Sequence, residues 1–172
     1  MLLPIITSPN KILREKAREI TKEELESEKI QKLILDMGET MRNANGIGLA
    51  APQVNESLQI ICMDMRECDP HGSIRKKIIP NLTHTQAGGN EIFILINPRI
   101  TWSSIVKNIM EEGCLSIPEI KSRIKRPKNI RVKCLNAKGE KIKFKATELF
   151  ARVLQHEIDH LNGILFIDKT IK

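Results

Sequence analysis

Toward the end of the chain, Gln155-His156-Glu157-Ile158-Asp159-His160 sets two histidines four residues apart, with a glutamate directly after the first. On a helix, positions i and i+4 share a face about 5–6 Å apart, so both imidazoles can reach one metal ion. Leu149, Val153, His156 and His160 fall at i, i+4, i+7 and i+11, so the histidines continue an apolar, core-facing row. Two imidazoles there are costly unless something satisfies them, and a metal does so. Glu157 is turned ~100° from His156, so it can flank an ion without ligating it. That placement suits a general base acting on water held by the metal. The competing reading is a chance pattern of hydrogen-bonded core histidines; the apolar row and the glutamate favour a metal site. Asp159 reads as a structural partner for a ring N–H or an arginine.

A catalytic ion needs a third protein ligand and an open position. His71 and His84 lie in a polar stretch, a poor platform for a rigid ligand, and the carboxylates are too numerous to choose among by spacing. Cys114, in Glu111-Glu112-Gly113-Cys114-Leu115-Ser116, is the better candidate, followed by a backbone N–H that could point at a substrate oxygen. Taken alone, that is a weak signal.

These residues need elements to position them. The H-E-x-x-H segment belongs to a helix from about Thr147 to Asn162, with Thr147 able to cap its start and Gly163 at the C′ position. Ser8-Pro9 is expected to open a helix to about Ala17. A longer helix follows from about Thr21 to Asn43, with Ile30, Leu33, Met37 and Met41 forming its buried stripe. Leu58–Met65 and Ile92–Ile96 are continuous apolar runs and read as strands. Between them, Arg66–Asn90 is polar and basic, and reads as a long exposed insertion. Ile130–Leu135 and Ile142–Lys145 alternate around Asn136–Gly139, as a hairpin with one wet face does. Helices at both ends with strands between predict a single α+β domain over residues 1–172. Its mostly antiparallel sheet would pack around the C-terminal H-E-x-x-H helix, with further helices at the N-terminal side.

Composition bounds the rest. At 172 residues, 41% hydrophobic and 28% charged, the chain is ordinary for a globular protein with a real core. It lacks an apolar run of the ~18–20 residues a membrane helix needs, and its start lacks a basic secretory n-region. The expectation is a cytoplasmic protein of bacterial type with reduced cysteines. Cys62 and Cys134 read as core filler, while Cys68 sits in a polar loop. The net charge of +7 raises nucleic-acid binding, but the lysines are scattered and aromatics make up only 3%, so direct sequence-specific binding is not expected.

Three segments in order carry a family resemblance: Gly46-Ile47-Gly48-Leu49-Ala50-Ala51-Pro52-Gln53, Glu112-Gly113-Cys114-Leu115-Ser116, and Gln155-His156-Glu157-Ile158-Asp159-His160. Together they resemble the three signature motifs of peptide deformylases. The resemblance spans nearly the whole chain, from Leu3-Pro4-Ile5 to Leu165-Phe166. It implies removal of the N-formyl group from the initiator methionine of nascent polypeptides at the ribosome, with release of formate. Cys114, His156 and His160 would bind one divalent ion, Fe(II) by family habit, with Zn, Ni or Co also accommodated. Glu157 would be the general acid/base, and Gln53 with the Leu115 backbone N–H would form the oxyanion hole. Gly48 would contribute a backbone contact. Gly46, Glu112 and Gly113 would line the substrate's path, where an extended N-formyl-methionyl peptide could pair with strand edges. Leu149 and Val153 are candidates for the methionine pocket, and equally for plain core. Many relatives carry a further helix after the point matching Gly163, which in some contributes to ribosome docking. Only Ile164 to Lys172 follow here, so docking does not follow from the resemblance.

Elementary chemistry agrees with that assignment. Two imidazoles and a thiolate leave a fourth tetrahedral position for water, whose pKa an ion lowers toward ~7. Attack on the formyl carbon then develops an alkoxide, for which one hydrogen-bond donor can be worth ~3 kcal/mol. Three rivals make different demands. A zinc metallopeptidase shares H-E-x-x-H but needs neither Gly46–Gln53 nor a cysteine ligand. A Cys-His hydrolase with Cys114 as nucleophile leaves Glu157 idle. A structural zinc or ribosome-binding module needs a fourth protein ligand, and none is evident.

Overall fold

Strand segments with continuous apolar runs and those that alternate occupy different parts of one sheet. The computed structural model describes residues 1–70 and 92–171. Its main sheet runs in the order β1 (Gly48–Ala50), β2 (Ile60–Asp64), β3 (Ile92–Ser103), β6 (Asn129–Leu135) and β7 (Lys141–Thr147), every pair antiparallel. Helix α2 (Glu28–Asn43) covers one face of β1–β3, sharing a core with Ile60, Cys62, Ile94 and Ile96. Helix α4 (Glu148–Leu161) covers the other face, where Phe150, Val153 and Leu154 meet Ile61, Met63, Phe93 and Leu95. Burial on both faces is why residues 60–63 of β2 and the start of β3 are apolar at every position. The body of the hairpin β6–β7 is covered on the α4 side, and only its Leu135–Ala137 end also meets α2. Ile130, Val132, Phe144 and Ala146 point into the core, while Arg131, Lys133, Lys143 and Lys145 face water. Phe93, Phe144 and Phe150 pack mutually with centroids 5.4 to 6.1 Å apart and tie the hairpin to α4.

A second, two-stranded sheet, β4 (Lys107–Cys114) with β5 (Ile117–Pro127), stands beside α4. Leu13, Ile117, Ile124, Leu165 and Phe166 form its small core. The α+β class and the largely antiparallel sheet around a C-terminal helix are as expected. The β4–β5 hairpin itself is not signalled by the sequence, because its exposed strands carry little apolar alternation.

Local capping moves several expected boundaries. The anticipated helix from Ser8 to Ala17 is a 3-10 turn over Lys11–Arg14, because Asn10 accepts from the Ile12 N–H and starts it later. The helix expected over 21–43 is two. Thr21 and Glu24 form a capping box on α1 (Lys22–Leu25), and Ser27 then caps α2 anew. Ile30, Leu33, Met37 and Met41 are all buried, as the stripe requires. Thr147 precedes α4 but makes no side-chain cap, whereas Gly163 does take a left-handed φ of 71°. A Cβ there would stand 2.4 Å from the Arg14 carbonyl oxygen.

Strand β3 runs well past Ile96. A bulge at Asn97 and Pro98 lets it continue, with the Asn97 amide bonded to both Ile20 N–H and Ile20 carbonyl. Cys68 lies in no polar loop: it is buried in α3 (Met65–Cys68), against the α4 core. The rest of the expected insertion, with His71 and His84, lies outside the described residues.

Candidate metal centre and active site

Helix α4 brings His156, Glu157 and His160 to one wall of a cavity, and the end of β4 brings Cys114 to meet them. Cys114 Sγ lies 3.2 Å from His160 Nε2, and the three potential ligand atoms of Cys114, His156 and His160 all fall within 4.8 Å of one another. An ion held ~2.3 Å from sulfur and ~2.0 Å from nitrogen keeps tetrahedral donors roughly 3.5 Å apart, so the set fits a single ion. Among the described residues this is the one such cluster. A register shift between Glu112 and Cys114 turns the thiol out of the β4–β5 ladder, and the Ser116 N–H donates to it at 3.4 Å.

The electrostatics favour a cation. His156 turns Nδ1 to the Glu112 carboxylate at 3.0 Å, which leaves Nε2 for the cluster. Burial works to lower the His156 pKa, but bonds to Cys114 and Glu112 outweigh it and raise the pKa to about 10. The partners that favour a proton there favour a metal in its place. His160 goes the other way. Burial, then the neighbouring His156, lower it to about 3, so it stays a neutral donor.

Glu112 anchors the site from behind. Arg126 binds it through Nε at 2.6 Å and Nη2 at 2.9 Å, and Arg152 Nη1 donates to it at 2.7 Å. Burial would raise its carboxyl, yet Arg126, His156 and Arg152 together hold it far below the usual range. Asp159 accepts from Arg126 Nη1 at 2.6 Å and also pairs with Lys169. It is thus an arginine's partner, and the ring N–H goes to Glu112 instead. Glu112 lines the cavity, as expected of a substrate-facing residue, but its carboxylate is spent on the arginines and His156. Arg126 and Arg152 are the residues that sequence reading missed. Arg152 could have been found, since a buried arginine one turn before His156 on a core-facing helix demands an anion. Arg126 could not, because nothing marked β5 as a strand with an inner face.

Glu157 is 4% exposed, and its Oε2 has no partner among the described residues. Burial raises its pKa to about 7. Gln53 lies opposite, fixed by its Oε1 accepting the Ala50 N–H at 2.8 Å. Its Nε2 points at Cys114 Sγ, 3.6 Å away, and at Ser116 Oγ, 3.2 Å away. Gly48 sits against Glu157, and a Cβ on Gly46 would meet Leu115 Cδ1 at 2.8 Å. The cavity measures about 900 Å³. Gly46, Gly48, Gln53, Glu112, Gly113, Cys114, Leu115, Leu149, Val153, His156 and Glu157 all line it, with His160 buried behind. Val153 belongs both to the wall and to the α4 core.

Comparison with known proteins places this geometry. The family described as polypeptide deformylase matches residues 2–172. A peptide deformylase of Thermodesulfovibrio yellowstonii is 43% identical over 168 residues, which is 98% of this chain and 88% of that one. The crystal structure of the Thermotoga maritima peptide deformylase superposes with a TM-score of 0.82 at 35% identity, covering 100% of this chain and 99% of that one. A Met-Ala-Ser-bound class I type b peptide deformylase of Acinetobacter baumannii gives 0.81 at 30% identity, covering 98% of each chain.

Proposed function

The chain belongs to the polypeptide deformylase family, and from that premise we propose that it hydrolyses the N-formyl group from the initiator methionine of nascent polypeptides and releases formate. The observation that carries the reading is the convergence of Cys114 and His156 at the cavity wall with His160 buried behind them, and a buried carboxylate oxygen of Glu157, unpartnered among the described residues, beside them.

Cys114, His156 and His160 would hold one divalent ion. A mixed thiolate–imidazole set suits Fe(II), and also Zn, Ni or Co. When bound, the ion supplies Lewis acidity, polarising the formyl oxygen and lowering the pKa of water toward ~7. Glu157, poised near 7 by burial, takes the proton of the attacking water and passes it to the leaving amine nitrogen. Gln53 Nε2 and the Leu115 backbone N–H stabilise the oxygen on which negative charge develops. Gly48 and Gly46 keep side chains out of the approach to Glu157 and Leu115. Leu149 and Val153 give an apolar wall for the methionine side chain. Strand β1 is an edge of its sheet, so an extended peptide can add to it by backbone hydrogen bonds. A solved Acinetobacter relative bound to Met-Ala-Ser supports a peptide as the ligand. Pairing of that kind predicts a weak dependence of turnover on sequence beyond the second residue; a strong one would sink it.

The test is formate release from an N-formyl-methionyl peptide by protein loaded with metal in the absence of oxygen, beside Glu157→Ala. Release by the parent chain that collapses in Glu157→Ala, with metal content unchanged, supports both substrate and role. No release from metal-loaded parent protein would overturn the substrate, and cleavage of internal peptide bonds would favour a metallopeptidase.

A further inference from the structure

Lysines scattered along the sequence are gathered by the hairpin β6–β7 onto one face. Residues directly opposite in a sheet point the same way, and here Arg131 faces Lys145 and Lys133 faces Lys143, with Lys141 one rung further on. All five are exposed, and none has an ion pair among the described residues. Neighbouring acids are already engaged: Glu19 with Arg99, Glu140 with Asn136 and Glu148 with Lys128. Strand β3 adds Trp102 opposite Arg131, whose guanidinium lies 5.4 Å from the indole centroid. Helix α4 packs on the opposite side of this hairpin, so the face is separated from the cavity by the thickness of the sheet.

Like charges directly opposite one another cost stability. Lysines on β7 alone could be explained as protection of an edge strand against unwanted pairing. Arg131 and Lys133 cannot, because β6 lies between β3 and β7. We propose that this face is a docking surface for RNA, with Arg131, Lys133, Lys141, Lys143 and Lys145 binding the phosphodiester backbone without reading sequence. Cations repeat at ~6.7 Å along each strand and ~4.8 Å between strands, an array that can meet successive phosphates. The Arg131–Trp102 pair offers the planar cation and ring on which bases stack. An anionic lipid surface fits less well, because the exposed apolar side chains Ile105 and Val106 sit in the β3–β4 turn at the rim of the face and not among the cations. The inference is independent of the metal and of the residues assigned to hydrolysis.

Trp102 is the only tryptophan in the chain, so its emission reports on this face directly. The experiment titrates a short RNA duplex carrying an unpaired overhang, and separately phosphatidylglycerol vesicles, into metal-loaded protein over a range of salt. A face variant (Arg131→Gln, Lys133→Thr, Lys143→Thr, Lys145→Thr) is compared with a control removing four exposed cations elsewhere (Lys11, Lys16, Lys29 and Lys125, each to Gln). The parent should bind RNA with a shift in Trp102 emission. The face variant should bind more weakly, with a salt slope shallower by roughly three to four, while the control, of equal net charge, keeps most of the affinity. Equal loss in the control, or vesicles bound more tightly than RNA, would overturn the proposal. Unchanged formate release by the face variant shows that it is folded. Were it misfolded, Lys133→Thr and Lys143→Thr singly should each flatten the slope by about one, and no change in either would equally overturn it.

Discussion

Gly48 and Glu157 are in contact across the cavity wall: a Cβ on Gly48 would stand 2.5 Å from Glu157 Oε1 and 2.9 Å from Val153 Cγ1. Both obstacles are side chains and the nearer is the far end of a flexible one, so Gly48→Ala should displace the carboxylate, with a smaller shift at Val153, rather than the backbone. General acid/base catalysis is worth ~10²–10⁴-fold, and we expect kcat/KM to fall by about 10²-fold with metal content intact and the thermal midpoint little changed. Wild-type turnover by Gly48→Ala would show that Glu157 does not need its observed place.

Glu112→Gln should be costly in two ways. Arg126 and Arg152 are buried and would lose their shared anion, a change of about 3–5 kcal/mol for a broken buried pair. His156 would lose the carboxylate that orients it, which weakens metal affinity ~10–100-fold. Denaturant melts and metal titration on the same preparation separate the two effects. A variant as stable as the parent would mean that the arginines find other partners.

Asp64 gives a pH dependence clear of the metal site. Burial would raise its carboxyl, but Arg66 and Arg42 more than offset this and leave it below the usual aspartate value. Between the two values the unfolded chain binds the proton and the folded one does not, so stability rises with pH there. The contribution is present above ~4 and is lost as pH falls through the lower, folded value. Urea midpoints measured down through that window should decline more steeply for the parent chain than for Asp64→Asn. Parallel curves would remove Asp64 from the account.

Chelation should expose one thiol and spare three. Cys62, Cys68 and Cys134 are buried, and burial pushes Cys134 up to about 12 and the other two up as well. Cys114 alone is half-buried, at the cavity wall. Iodoacetamide should therefore add one equivalent, at Cys114, to the chelated but folded protein and very little to the metal-loaded one. Mass mapping that finds an adduct at Cys62 or Cys134 first would contradict the assignment.

The sequence disclosed the parts of the site that obey a short-range rule. His156, Glu157 and His160 lie on one helical turn, and their periodicity with Leu149 and Val153 was enough to place them. Cys114 was weak in isolation because its proximity to His160 is set by a hairpin whose strands look unremarkable in sequence. Continuous and alternating apolar runs foretold which strands would be covered on both faces. The single helix expected over 21–43 broke because Ser27, an ordinary capping residue, outcompeted continuation. Scattered lysines concealed a surface, since the register that pairs Lys133 with Lys143 is not visible until the hairpin is formed.

The positions of the three metal-binding candidates along the chain also set a timetable for its own manufacture. Cys114 leaves the site of synthesis early relative to His156 and His160, and the hairpin that carries it has to wait for α4 before it has anything to bind with. Until His160 has been added, a growing copy of this protein lacks one of the three. The set of three is therefore complete only once residue 160 has been made.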